Sequence, residues 1–131
     1  MKVGYKALIE EAEKNIDTIS VDEVAALLND DTVTIVDIRD VRELQREGKL
    51  PGAIHAPRGM LEFWVDPDSP YHRELFSEAK KFVFYCASAW RSALATQTVQ
   101  QMGMKNVCHM SGGFTAWKKA DQPIETVEKK A

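Results

Sequence analysis

The stretch "FVFYCASAWRS", Phe82–Ser92, decides how the rest of the chain is read. Phe82 to Tyr85 has the unbroken apolar character of a buried strand. Behind Cys86, Ala87, Ser88 and Ala89 are small enough for a tight turn, and a helix is expected from Arg91 to Met102, closed by Gly103. Its inward face is expected to carry Leu94, Thr98, Val99 and Met102. A thiol between such a strand and such a helix has two readings. It can be a small core residue, since free cysteine is among the most buried residue types. It can equally be a nucleophile, because the first amides of a helix lack intrahelical partners and, with the helix dipole, favour an anion such as a thiolate. Arg91 and Ser92 stand where they could bind an oxyanion or brace the loop.

Working outward, the same alternation of short apolar runs and helical patterns recurs. Tyr5 to Asn15 reads as an amphipathic helix with Leu8, Ile9 and Ala12 on one side. Ser20 and Glu23 form a capping box before Val24, Leu27 and Leu28. Val33 to Ile38 is a β-branched strand. "DVRELQREG" is a short helix stopped near Gly48, and "PGAIHAP" is a turn with a brief strand ending at Pro57. A helical turn or two is expected from Arg58 to Trp64. Pro67 and Pro70 then keep the following segment irregular. "NVCHM" is a last strand, and "GGFTAWKKA" opens a last helix. Strands alternating with helices, without a tight hairpin signal, predict a parallel sheet covered on both faces. Ligands in such folds sit beyond the carboxyl ends of the strands, where Asp37, Pro57, Cys86 and Ser111 should gather.

Composition narrows the function classes. The 131 residues suffice for one domain with a proper core. A formal net charge of −3 argues against a nucleic-acid binder. No apolar run is long enough for a membrane span. The N-terminal "MKVGYKALIEEAEKN" lacks the apolar core of a signal peptide, so a cytoplasmic protein is expected. Two cysteines, Cys86 and Cys108, are present. In a reducing compartment such thiols are inert, metal-binding or catalytic. Cys108, His109, His55 and His72 lack ligand spacing, so no metal site is expected, and Cys108 and the histidines read as core or incidental residues.

Four residues separate Cys86 from Arg91, whereas cysteine-based phosphatases place five between their cysteine and arginine. The smaller ring suits an extra sulfur on the cysteine better than a phosphoryl group. With this loop, "VDIRDVRE" (Val36–Glu43), "GKLPGAIHAP" (Gly48–Pro57) and "MSGGFTAWKKADQPI" (Met110–Ile124) resemble, in order and spacing, the segments of rhodanese-family single-domain sulfurtransferases. The resemblance covers Thr18 to Glu125. It implies an α/β fold with a five-stranded parallel sheet and helices on both faces. It divides the chain into an N-terminal helical extension (1–17), a rhodanese-like domain (18–125) and a tail (126–131). It implies that Cys86 carries sulfane sulfur as a persulfide between a small-molecule or protein donor and a thiophilic acceptor, without a cofactor. Ala87, Ser88, Ala89, Trp90 and Arg91 would supply the amides around it, with Asp37 and Arg58 at the pocket edge.

Two departures stand out. Lys49 replaces a turn histidine at a position that reads as surface. Ala89 stands where many members have glycine, which restricts a backbone that could otherwise take positive φ. With Arg91 as its single cation, the loop should use thiosulfate poorly. Trp90 is expected at the pocket mouth and Trp117 in the core. "LEFWVD" reads as pocket lining or a core-covering cluster. Asp37 and Arg39 could orient the cysteine loop, but Arg39 as a partner of Glu43 one helical turn away is the plainer reading. The alternatives are a non-catalytic module that binds a partner or senses redox state and, further off, a small cysteine phosphatase or arsenate reductase.

Overall fold

The computed structural model describes residues 1–129, so the last two residues of the expected tail lie outside it. Five strands and six α-helices follow one another as α1 (Tyr5–Asn15), β1 (Asp17–Ile19), α2 (Val21–Ala26), β2 (Val33–Asp37), α3 (Val41–Glu47), β3 (Ile54–His55), α4 (Leu61–Val65), β4 (Lys81–Tyr85), α5 (Trp90–Gln101), β5 (Val107–Met110) and α6 (Gly113–Lys119). The strands form one parallel sheet in the order β1-β5-β4-β2-β3. The expected five-stranded α/β architecture is therefore present.

Side-chain alternation along the strands builds a core on each face. Ile35, Val83, Tyr85, Cys108 and Met110 point to one side, where Val24, Phe114 and Trp117 cover them. Val36, Phe82, Phe84 and Val107 point to the other and meet Leu61, Ala95 and Val99. Cys86 continues the second set, so the two cysteines face opposite sides of the sheet. Trp117 is the core anchor expected of it, and its indole donates to the Pro123 carbonyl at 2.7 Å.

Several elements differ from their sequence expectation. Thr18 and Ile19, to which the sequence reading assigns no element, belong to the edge strand β1; three residues are too few to show a period. Helix α5 starts at Trp90, and its buried residues are Ser92, Ala93, Ala95, Thr96 and Val99, while Met102 is 44% exposed. The reason is that α5 is packed on two sides. Ala95 and Val99 meet the sheet, and Ala93 meets Ile9, Ala12 and Ile16 around α1. Small residues suit such a helix better than one large apolar stripe. In α1 itself Ile9 and Ala12 are buried, but Leu8 is 47% exposed. Lys49 is half-buried rather than free on the surface. Its ammonium donates to the Ala53 carbonyl at 2.6 Å and pairs with Glu125 at 3.2 Å, and the two backbones bridge.

The largest departure concerns Arg39, which does not pair with Glu43. Its side chain is fully buried and forks onto Asp37, with Nε to Oδ1 at 3.0 Å and Nη2 to Oδ2 at 2.7 Å. Nη2 also donates to the Gly48 carbonyl at 2.7 Å, and the guanidinium lies 4.3 Å from the centre of the Phe114 ring. The Arg39 carbonyl meets His55 Nε2 at 2.6 Å. The buried cation thus ties the end of β2 to the end of α3 and the start of α6, and the carbonyl of the same residue reaches β3. Arg39→Met should cost about 3–5 kcal/mol in urea unfolding, because it leaves a buried carboxylate uncompensated. The double variant Asp37→Leu/Arg39→Met should lose clearly less than the two single losses added together.

Candidate active site

Cys86 lies at the C-terminal end of β4, and residues 87–89 turn the chain into α5. The carbonyls of the turn point away from the sulfur. Cys86 O accepts from Phe114 N at 2.8 Å and Ala87 O from Thr115 N at 3.0 Å. Free N–H groups of the first turn of α6 therefore hold the loop from behind. This approach is possible because residue 113 is glycine. A Cβ there would stand 2.5 Å from Cys86 O and 2.6 Å from Ala87 O, at a φ of +60°. Gly113 is thus a structural requirement of the cysteine loop, whereas a Cβ at Gly112 would meet the Ala116 side chain of α6.

Ala89 adopts the left-handed conformation despite its Cβ, with φ 74° and ψ −4°. That geometry costs about 1–2 kcal/mol for a non-glycine residue. It is offset by the Ala89 carbonyl, which accepts from Ala93 N at 3.0 Å and from Ser92 Oγ at 3.3 Å. The strained residue starts α5 so that the amide of Ser92 points back at the sulfur, 3.3 Å from Cys86 Sγ. Ser92 Oγ lies 3.6 Å from Sγ.

Ser92 also connects the thiol to a histidine that the sequence had left as incidental. Ser92 Oγ is 2.9 Å from His109 Nδ1, and His109 Nε2 is 3.1 Å from Thr18 Oγ1. The period-two alternation of Val107–Met110 puts His109 on the α5 side of the sheet, opposite to Cys108. That alternation was the available signal. Burial holds His109 at about 4, well below the usual imidazole value, so it is neutral near pH 7. Burial pushes the Cys108 thiol up, away from its reactive form.

The remaining expected site residues are each engaged by partners of their own. Arg91 forks onto Glu43 of α3, at 2.7 and 3.0 Å, and this contact holds the Glu43 carboxyl below its usual range. Asp37 lies fully buried at the same edge of the sheet but is engaged by Arg39. Arg58 reaches Glu62 at 2.7 Å. His55 and His72 sit in separate settings, His72 between the Trp64 carbonyl and Ser77. Trp90 is 53% exposed, and its ring packs on Tyr5 of α1 with centroids 5.1 Å apart. It borders an open recess of about 530 Å³, lined by Glu13, Thr18, Ser88, Ala89, His109, Ser111 and Gly112 as well. Cys86 itself is fully covered. Among the described residues, no helix is long and apolar enough to cross a membrane.

Sheet order, cysteine loop and glycine-supported α6 define a class of parallel α/β proteins with a thiol at the carboxyl end of a central strand. The chain belongs to the rhodanese-like domain family, which matches residues 20–120. It is similar to a solved protein of unknown function from Rhodopseudomonas palustris, described as a possible tyrosine phosphatase. That likeness has 52% identity and a TM-score of 0.92, covering 95% of this chain and 96% of that one. The 30 kDa polysulfide-sulfur transferase homodimer of Wolinella succinogenes is 26% identical with a TM-score of 0.69, over 96% of this chain and 88% of that one. Mouse thiosulfate sulfurtransferase/rhodanese-like domain-containing protein 3 is 29% identical over 100 residues, 72% of this chain. The chain spans 64% of that relative's own length.

The buried imidazole has a consequence for stability. Its folded value of about 4 lies below the unfolded value of 6.5, so the unfolded chain takes up the proton first as pH falls. The stabilisation is complete above pH 6.5 and is lost between there and pH 4, a difference of about 3 kcal/mol. His109→Gln should flatten this part of the curve relative to wild type in urea titrations run at stepped pH.

Proposed function

We propose that the chain is a rhodanese-type sulfurtransferase. The Cys86 thiolate attacks the sulfane sulfur of a donor such as thiosulfate, a persulfide or a polysulfide, and the rest of the donor leaves with the bonding electron pair. The resulting Cys86 persulfide gives its outer sulfur to a thiophilic acceptor, which regenerates the thiolate. Cys86 is the catalytic residue. Ala87, Ser88, Ala89, Trp90, Arg91 and Ser92 form the wall around the added sulfur, and Asp37 acts from beneath through Arg39. No cofactor has a part in this cycle.

The observation that carries the reading is the loop itself. A cysteine at the end of a strand, with the Ser92 amide 3.3 Å from its sulfur and four residues between it and Arg91, suits a small anionic sulfur group. Two observations favour other readings. Cys86 has no exposed surface, as in a module that does not turn over, and reaction with a donor requires the exposed side of the loop at Ser88 and Trp90 to give way. The R. palustris relative carries the description of a possible tyrosine phosphatase. A phosphatase, however, needs its arginine free to fork onto phosphate, and here Arg91 forks onto Glu43.

Intact-mass measurement after incubation with thiosulfate, cysteine persulfide or polysulfide decides among the three. Wild type and Cys108→Ser should gain one sulfur atom that cyanide removes as thiocyanate, and Cys86→Ser should gain none. Absence of a sulfur adduct with every donor would leave the non-catalytic module. Hydrolysis of p-nitrophenyl phosphate that depends on Cys86 would leave the phosphatase.

Donor preference follows from the same ion pair. With its charge matched by Glu43, Arg91 offers little attraction to a dianion. Persulfide donors should therefore load Cys86 faster than thiosulfate. Glu43→Gln should raise the thiosulfate rate by about tenfold, with a steeper salt dependence, and leave the persulfide rate nearly unchanged.

A further inference from the structure

A covered thiol must lose its proton before it can attack, and Cys86 has no contact with solvent. We propose that Ser92, His109 and Thr18 form a relay that carries the Cys86 proton to the recess beside Trp90 and leaves the Ser92 hydroxyl bonded to the thiolate. The inference deepens the sulfurtransferase reading by naming how its nucleophile is prepared.

The distances make a continuous chain. Sγ lies 3.6 Å from Ser92 Oγ, Oγ 2.9 Å from His109 Nδ1, and His109 Nε2 3.1 Å from Thr18 Oγ1. The sheet sets the last link, because β1 and β5 pair in parallel with Thr18 opposite His109. Ser92 and His109 are buried, whereas Thr18 is exposed, and both Thr18 and His109 line the recess. The chain therefore starts at a group without access to water and ends at one with it.

Each transfer balances. The Sγ proton moves to Ser92 Oγ as the Ser92 hydroxyl proton, turned from the Ala89 carbonyl at 3.3 Å, moves to His109 Nδ1 at 2.9 Å. The Nε2 proton of His109 moves to Thr18 Oγ1, whose own proton leaves to water in the recess. Sulfur keeps its electron pair. The imidazole begins with its proton on Nε2 and ends with it on Nδ1, neutral at both stages. In the final arrangement Nδ1–H donates to Ser92 Oγ, and the Ser92 hydroxyl donates to the thiolate beside the Ser92 amide. Burial, which opposes an imidazolium here, favours a relay that changes tautomer over one that stores charge. The charged groups about the chain are Glu13 of α1 on the recess, Asp17 next to Thr18 on β1, and Arg91 of α5 matched by Glu43 of α3. From β4 the neighbour of His109 is the uncharged Phe84.

Ser92 touches the sulfur and is the catalytic member; His109 and Thr18 act through it as positioning residues. Iodoacetamide alkylation of Cys86, followed by mass in a Cys108→Ser background, tests the relay without any sulfur donor. A failed sulfurtransferase reading therefore leaves the test intact. Ser92→Ala and His109→Ala should each slow alkylation at pH 7 by about tenfold and displace its pH profile upward, and the double variant should be no slower than Ser92→Ala alone. Imidazole added to His109→Ala, whose lost ring opens onto the recess, should restore the rate, and it should do nothing for Ser92→Ala. Thr18→Val, an exposed change that keeps the fold, should slow alkylation by about threefold at unchanged melting temperature. A folded His109→Ala with the wild-type rate and profile would overturn the relay. So would losses at Ser92 and His109 that multiply in the double variant, or a Thr18→Val that reacts like wild type.

Discussion

The buried pair of Asp37 and Arg39 is the contact on which the site end of the molecule depends. Two charges without solvent exposure are costly to remove from water, and good geometry with further hydrogen bonds is needed to compensate them. The fork onto Asp37 and the bond to Gly48 O supply part of that, and the Phe114 ring beneath the guanidinium supplies more. Phe114 is also the residue whose amide holds Cys86 O. The charge pair, the ring and the cysteine carbonyl thus form one sequence of contacts from the end of β2 to the thiol. A small displacement of the guanidinium would reach the loop through two contacts.

The loop shows how competing backbone requirements are divided between two helices. Helix α6 gives its unpaired amides to the loop carbonyls, and α5 gives the Ser92 amide to the sulfur. Each helix start needs an unusual residue for this. Gly112 and Gly113 take positive φ before α6, and the close approach of Cys86 O leaves no room for a Cβ at 113. Ala89 takes positive φ before α5 with a Cβ in place, and its carbonyl is held by Ala93 N at 3.0 Å. The two positions look alike in backbone terms and differ in what they tolerate.

Much of the fold was legible because its signals are local. The capping box at Ser20 and Glu23 forms as the sequence implied, and Gly48 ends α3 with φ 85°. The apolar runs of β2 and β4 are strands within a residue of their expected limits. What escaped the sequence depends on neighbours far away in it. β1 is a strand only because β5 lies beside it. Glu43 is one helical turn from Arg39 in sequence, yet it bonds Arg91, 48 residues on, because Asp37 takes the buried arginine. Ser92 was named from the loop, but its link to His109 needs the register of β5 against α5, which no local pattern carries.

Cys86 and Cys108 are the two thiols of the chain, and the sheet stands between them. A bond between their sulfur atoms would require β4 and β5 to part, since disulfide geometry tolerates only a short separation of the two Cα atoms with converging side chains. Cys108 therefore cannot serve Cys86 as a resolving partner. A modified Cys86 would have to be reset by a nucleophile other than Cys108, one that takes the outer sulfur of a persulfide or attacks a sulfenic sulfur so that its oxygen leaves as water. The lifetime of such a modified cysteine would then follow access to the loop from beyond the sheet.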